Sequence, residues 1–179
     1  DHAKSIMAGN CPEIELVAIA DVKESRREAA KELYGEKITV FDDAIKMLDS
    51  GMVEAVLVAV PHYDHPTYSI AAMERGIHVM CEKPAGVYAK AVREMNEVAD
   101  KHPEVVFGMM FNQRTNCVYR KMRELVQSGE LGEIRRVSWI ITDWYRTQAY
   151  YNSGGWRATW AGEGGGVLLN QCPHNLDLW

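Results

Sequence analysis

Basic residues do not outnumber acidic ones. Twenty Lys and Arg stand against 25 Asp and Glu, a formal net charge of −5. A protein that neutralises nucleic-acid phosphates normally carries a basic stripe, so this balance argues against a nucleic-acid partner. Cysteine is scarce: Cys11, Cys81, Cys117 and Cys172 lie far apart and form no CxxC. Such spacing fits reduced thiols in a cytoplasmic protein and speaks against a metal site. No apolar run reaches the length of a membrane span, and no signal-peptide pattern is visible among the first residues. Tryptophan is absent from the first 138 residues, although the chain holds five.

What is present reads as a folded globular chain, 47% hydrophobic and 25% charged. Its 179 residues suffice for one ordinary domain, or for one domain and part of another. Short apolar, β-branched runs at 13–20, 38–41, 54–60, 77–81 and 105–110 read as strands. Between them, 24–34, a segment capped by Asp42 or Asp43 and running to Leu48, 65–75 and 88–101 read as helices. In the last of these, positions 91, 92, 95, 98 and 99 are apolar at helical spacing. The strands lack polar alternation, so both faces are covered, which predicts a parallel sheet with helices on either side. Right-handed crossovers make this α/β arrangement a doubly wound, Rossmann-type sheet.

Such sheets bind ligands at the carboxyl ends of their strands. Asp21, the segment from Pro61 to His65, and the pair Glu82 and Lys83 all fall at those ends. The texture then changes near residue 110. Residues 116–127 read as a helix, and 133–145 alternate apolar with polar, which predicts a strand with one face packed. Six of the 14 glycines lie between Gly154 and Gly166. The expected division is a doubly wound α/β domain over 1–110 and a second region over 111–179.

Several strings occur in a telling order: "VPHYDH" at 60–65, "RGIHV" at 75–79, "CEKP" at 81–84, "FNQR" at 111–114, "GWR" at 155–157 and "GGGVLLNQCPHNLDLW" at 164–179. Together they resemble the glucose–fructose oxidoreductase and inositol dehydrogenase (Gfo/Idh/MocA) family over essentially the whole chain. The resemblance implies that 1–110 form a dinucleotide-binding Rossmann domain that binds NAD or NADP, and that 111–179 are the start of an α+β domain with a large open sheet. It also implies that the family's first strand and glycine-rich turn precede Asp1, and that most of the large sheet follows Trp179.

The resemblance assigns roles residue by residue. Lys83 is expected to contact the nicotinamide ribose and the substrate hydroxyl, where an ammonium stabilises developing alkoxide charge. Glu82 helps hold the ribose, and Pro84 restricts the backbone of Lys83. His174 is the expected acid/base; its ordinary pKa suits proton exchange near neutral pH. Asp177, three residues on, shares its helix face and is expected to orient it. Asn170 stands where many family members carry aspartate; an amide hydrogen-bonds but carries no charge. Pro61, His62, Asn112 and Arg114 match cofactor-edge positions, with His62 where asparagine is frequent. Trp156 and Arg157 match a site-lining pair, Arg157 suiting a phosphate or a carboxylate. Asp21 suits the adenosine ribose and favours NAD, while Arg26 lies near enough to accommodate the phosphate of NADP. His65 and His78 read as structural. Residues 162–166 permit either close backbone approach or a flexible loop. Trp139, Trp144 and Trp160 offer faces to sugar C–H groups or pack a sheet or subunit interface.

The function implied is NAD(P)-dependent hydride transfer at a CH–OH carbon of a sugar, polyol or related carbohydrate. The family also covers NAD-dependent glycosidases that oxidise transiently, and non-catalytic cofactor-binding regulators. A homodimer or homotetramer is expected, with a small carbohydrate as partner and neither nucleic acid nor membrane.

Overall fold

The computed structural model describes residues 2–142 and 145–179. Helix α1 (His2–Met7) is followed by a regular alternation: β1 (Ala18–Ala20), α2 (Glu24–Tyr34), β2 (Thr39–Phe41), α3 (Ala44–Asp49), β3 (Ala55–Val58), α4 (His65–Met73), β4 (His78–Cys81), α5 (Ala89–Lys101) and β5 (Phe107–Met109). Local chemistry explains the boundaries. Asp43 caps α3 by accepting from the backbone N–H of Ile45 at 2.6 Å and of Lys46 at 3.3 Å. Helix α2 stops at Gly35, whose φ of 61° costs a glycine little. In α5, positions 91, 92, 95, 98 and 99 are the less exposed ones, and Met95 is fully buried. The apolar period therefore marks the inner face, as the sequence predicts.

The strands form two parallel sheets rather than one. Strands β1 and β2 pair with Ala18 opposite Thr39, Ile19 opposite Val40 and Ala20 opposite Phe41. The second sheet has the order β3-β4-β5. There Val79 N–H donates to the Val106 carbonyl (2.8 Å) and Met110 N–H to the Cys81 carbonyl (2.7 Å), so β4 and β5 advance together. In the doubly wound order 3-2-1-4-5-6 a single strand joins the pair 3-2 to the trio 4-5-6. The observed grouping has the same pair and the same trio.

The chain resolves into two compact units. The first comprises residues 1–58, 67–80 and 94–108. Its buried side chains include Leu48, Val58, Met73, Val79 and Met95, an apolar core contributed by β3, β4 and the helices α3, α4 and α5. The second comprises residues 59–66, 81–93 and 109–179, so the loops that leave β3 and β4 group with the C-terminal part of the chain. It contains α6 (Cys117–Gln127), α7 (Gln148–Asn152), α8 (Trp160–Glu163), α9 (Val167–Asn170) and α10 (Pro173–Leu178). Asn116 caps α6 through the N–H of Val118 at 2.9 Å.

The strand expected at 133–145 does not form among its described residues, which are exposed and without a ladder. Alternation supplies a face but not a partner; a strand's N–H and C=O groups need a neighbouring strand. Among the described residues of 111–179 the structure is helical and irregular, and no large open sheet is seen. No described helix is long and apolar enough to cross a membrane.

Candidate active site

The second unit collects two strand-end loops and the glycine-rich segment around one cavity. After β3 the chain passes Val60 and Pro61, turns through His62–Asp64 and enters α4 at His65. After β4 come Glu82, Lys83 and a cis peptide to Pro84. The His65 ring spans the two loops: Nδ1 lies 2.6 Å from the Pro84 carbonyl and Nε2 lies 2.8 Å from the Val60 carbonyl. His65 is buried, so the structural role expected of it holds. Glu82 folds back to accept from the Lys83 backbone N–H at 3.3 Å.

Lys83 points its ammonium at the second half of the unit. Nζ donates to the Asn170 backbone carbonyl at 2.7 Å. The Asn170 side-chain amide in turn donates to Glu163 in a short bond. Glu163 also accepts, through its backbone carbonyl, from His62 Nδ1 at 2.9 Å. Because a carbonyl only accepts, the proton of that bond sits on Nδ1. The His62 ring meets Trp156 edge-on at 5.3 Å.

The opposite wall is cationic and aromatic. The Arg157 guanidinium stacks on Tyr150 (4.3 Å to the ring centroid) and on Trp156 (4.6 Å), and Nη1 donates to the Tyr150 hydroxyl at 2.7 Å. Arg146 lies over Tyr150 at 4.6 Å and donates to Gln171 Oε1 at 2.9 Å. The cavity volume is about 300 Å³. Six of the candidate site residues expected from sequence line it, His62, Glu82, Lys83, Trp156, Arg157 and Asn170, together with the structural His65.

Two glycines make this packing possible. A Cβ on Gly162 would lie 2.1 Å from the Trp156 carbonyl oxygen, and one on Gly164 (φ +77°) would lie 2.3 Å from Val87 Cγ1. At these two positions close backbone approach is the operative reading.

Burial and neighbouring charge tune the site. The Lys83 ammonium is held below the ordinary lysine pKa, chiefly by burial; Arg146 and Arg157 push the same way, while Glu82 and Glu163 oppose. Burial also lowers the pKa of His62, partly offset by its bond to the Glu163 carbonyl.

Other expected residues lie outside this cavity. His174 sits on α10, edge-on to Phe111 at 6.1 Å, and within electrostatic reach of Lys83. Burial first, then Lys83, lowers its pKa, opposed by Glu82 and Asp177. Its buried Nδ1 has no hydrogen-bond partner among the described residues. Asp177 does not orient it by a hydrogen bond: both its oxygens are taken by Arg114, from Nε at 2.8 Å and from Nη2. Bidentate guanidinium pairing outcompetes a helix-face neighbour whose ring points elsewhere. Asn112 opens the turn Asn112–Thr115, and its carbonyl accepts from Thr115 Oγ1 at 2.7 Å. The Pro61 carbonyl accepts from Asp64 N–H at 2.9 Å. Asp21 belongs to the first unit, at the end of β1. It accepts from Lys23 N–H at 2.8 Å and pairs with Arg26 at 3.3 Å. Trp139 rests against Tyr119 at 5.8 Å, Trp160 is exposed, and Trp144 lies outside the described residues.

Sequence reasoning missed Glu163, Arg146 and Tyr150. The signal available for Glu163 was a lone acid inside a glycine run, one short helix before Asn170.

The model of an oxidoreductase family with an NAD-binding Rossmann fold matches residues 1–109, and that of the GFO/IDH/MocA C-terminal domain matches residues 119–179. The chain belongs to the Gfo/Idh/MocA oxidoreductase family. Within that family it is similar to the D-glucoside 3-dehydrogenase of Escherichia coli, 37% identical over 122 residues, which is 68% of this chain and 34% of that one. Among solved structures of the family it resembles the WlbA dehydrogenase of Chromobacterium violaceum in complex with NADH and UDP-GlcNAcA. That match has a TM-score of 0.84 at 28% identity and covers 99% of this chain and 50% of the other. It also resembles the scyllo-inositol dehydrogenase of Lactobacillus casei with bound NAD(H) and scyllo-inositol (TM-score 0.62, 29% identity, 66% of this chain and 34% of that one). The chain thus spans about a third to a half of the length of these Gfo/Idh/MocA relatives.

Proposed function

We propose that the protein is an NAD(P)-dependent oxidoreductase acting on a CH–OH group of a sugar, polyol or related carbohydrate. The observation that carries this reading is Lys83: a half-buried ammonium, fixed by the Asn170 carbonyl at 2.7 Å, facing a cavity of about 300 Å³. The relatives' substrates, a D-glucoside and scyllo-inositol among them, support a carbohydrate.

The donor set suits the nicotinamide end of the cofactor. Trp156 offers a ring face, Lys83 and Glu82 suit ribose hydroxyls, and Arg157 and Arg146 suit phosphate charge. The volume is that of a small-ligand site rather than of a whole dinucleotide. When bound, the nicotinamide supplies the hydride acceptor and donor. The chain's own residues do the rest. Lys83 stabilises the alkoxide that develops at the substrate oxygen, and a lowered pKa brings its proton nearer to exchange at neutral pH. His174 takes the hydroxyl proton; its depressed pKa keeps it neutral and able to accept. Asp21 at the end of β1 carries the carboxylate that favours NAD, with NADP the weaker ligand. Residues 1–110 serve as the dinucleotide-binding domain and 111–179 belong to the substrate domain. The exposed apolar side chains Val118, Met122, Val126, Ile134 and Val137 support association into a homodimer or homotetramer.

The test is nicotinamide reduction by the full chain across D-glucosides, inositols and simple polyols. Turnover is expected with at least one class, and Lys83→Met and His174→Ala should each lower it by about 10²-fold or more. Near-normal turnover by either variant would show that the roles are misassigned.

A further inference from the structure

Among the described residues, the mechanism leaves a buried carboxylic acid unused. Glu163 is 6% exposed, and among the described residues its side chain has a single hydrogen-bond donor, the Asn170 amide. Burying a carboxyl group is costly, and a glutamine would accept the same bond without a charge. The location is also enforced from both sides. His62 holds the Glu163 backbone carbonyl at 2.9 Å, and Gly164 follows in a conformation and a space that only glycine fills. The next polar link leads straight to the proposed reaction centre, since Asn170 offers its own carbonyl to Lys83 Nζ at 2.7 Å.

We propose that Glu163 is a positioning residue for Lys83: through the Asn170 side chain it fixes the carbonyl that holds the ammonium, and it supplies a buried negative charge that Asn170 itself lacks. The inference rests on the oxidoreductase reading of the site. Its physical content is a division of labour. Asn170 provides the contact, and Glu163, one hydrogen bond further out, provides the charge. The groups that act on Lys83 are Glu82 and Glu163, which favour its charged form, and Arg146 and Arg157, which disfavour it along with burial. His62 and His174 are the titratable rings within electrostatic reach. Of the two acids, Glu82 is Lys83's chain neighbour, whereas Glu163 reaches it from 80 positions away by way of Asn170. A purely structural Glu163 would serve equally well as glutamine.

The measurement is competitive acetylation of Lys83 in the full chain with acetic anhydride across pH, read by mass spectrometry of the Lys83 peptide. It reports the protonation of that one amine without any substrate. Glu163→Gln should move the labelling midpoint down by about one pH unit, the effect of removing a nearby opposite charge. The exchanged pair E163Q/N170D keeps one carboxyl and one amide but brings the charge next to Lys83. It should return the midpoint to the wild-type value or above. An unmoved midpoint in E163Q, or one that stays low in the exchanged pair, would overturn the proposal. If E163Q does not fold by thermal unfolding, the exchanged pair decides alone: a midpoint below wild type overturns the proposal and one at or above it supports it. Hydride transfer is read separately, so the oxidoreductase reading can fail while the Glu163 result stands.

Discussion

The two units bury different chemistry. In the first, the buried side chains are apolar but for Ser69: Ala30, Ile38, Met47, Leu48, Val58, Met73, Val79 and Met95 are among them. In the second, the buried set includes His62, His65, Glu163 and Asn170, while large apolar residues such as Val118, Ile140 and Leu168 are exposed. Apolar burial is non-directional and sums over area. Polar burial stabilises only when each group meets a partner at one distance and angle. The first unit is therefore built for stability and the second for geometry, and substitutions should separate the two.

The largest contrast pits Met73 against Lys83. Met73→Ala empties a fully buried site and should cost about 2–5 kcal/mol in denaturant unfolding, with turnover per folded molecule unchanged. Lys83→Met keeps the packed stem and should change stability by within about 1 kcal/mol. It should nevertheless lower kcat by about 10²–10³-fold, the usual loss when one alkoxide-stabilising donor is removed. If Lys83→Met unfolds the protein, or Met73→Ala selectively kills catalysis, the division fails.

A smaller effect probes the cofactor side of the first unit. Asp21→Ser should cut the preference for NAD over NADP by about tenfold, roughly 1.4 kcal/mol, measured as the ratio of kcat/KM values. Helix caps give a matched pair across the two units. Asp43→Ala and Asn116→Ala should each cost about 1 kcal/mol. Hydrogen exchange should localise the first loss to α3 and the second to α6.

The gentlest probe is pH. His62 has its folded pKa below the ordinary value of ~6.5, so the unfolded chain holds more protons between the two values. Stability should rise as pH rises through that window and level off above ~6.5. His62→Gln should flatten the slope in amides of the 59–66 loop. An unchanged slope would assign the acid sensitivity to another group.

Legibility in the sequence followed the same divide. Helix α2 was readable end to end from composition and its glycine stop, and the inner face of α5 from its apolar period, because both signals are local. The place of Lys83 and Glu82 in the cavity lining was readable because strand ends in parallel α/β sheets are where ligands bind. Glu163 was not, because its meaning lies in a bond to Asn170 and a carbonyl held by His62, 101 positions away. Arg146 and Tyr150 gain significance only because the Tyr150 ring takes the guanidinium groups of both Arg146 and Arg157. The 133–145 stretch misled because alternation reports a face, whereas a strand also requires an edge to pair with. For Asp177, proximity along a helix was a weaker guide than the bidentate demand of Arg114.

The bond from Lys83 to the Asn170 carbonyl closes a span of 87 residues, and that has a consequence for how the protein is made. At translation rates of about 5–20 residues per second, Lys83 leaves the ribosome several seconds before its acceptor exists. All segments of the first unit have been synthesised by residue 108, whereas the loops at 59–66 and 81–93 must wait for the rest of their unit. A nascent chain stalled before residue 170 would thus carry the lysine without the partner that aims it. Stalling only after residue 170 has left the ribosome should be the earliest stage at which its amine becomes protected from acetylation.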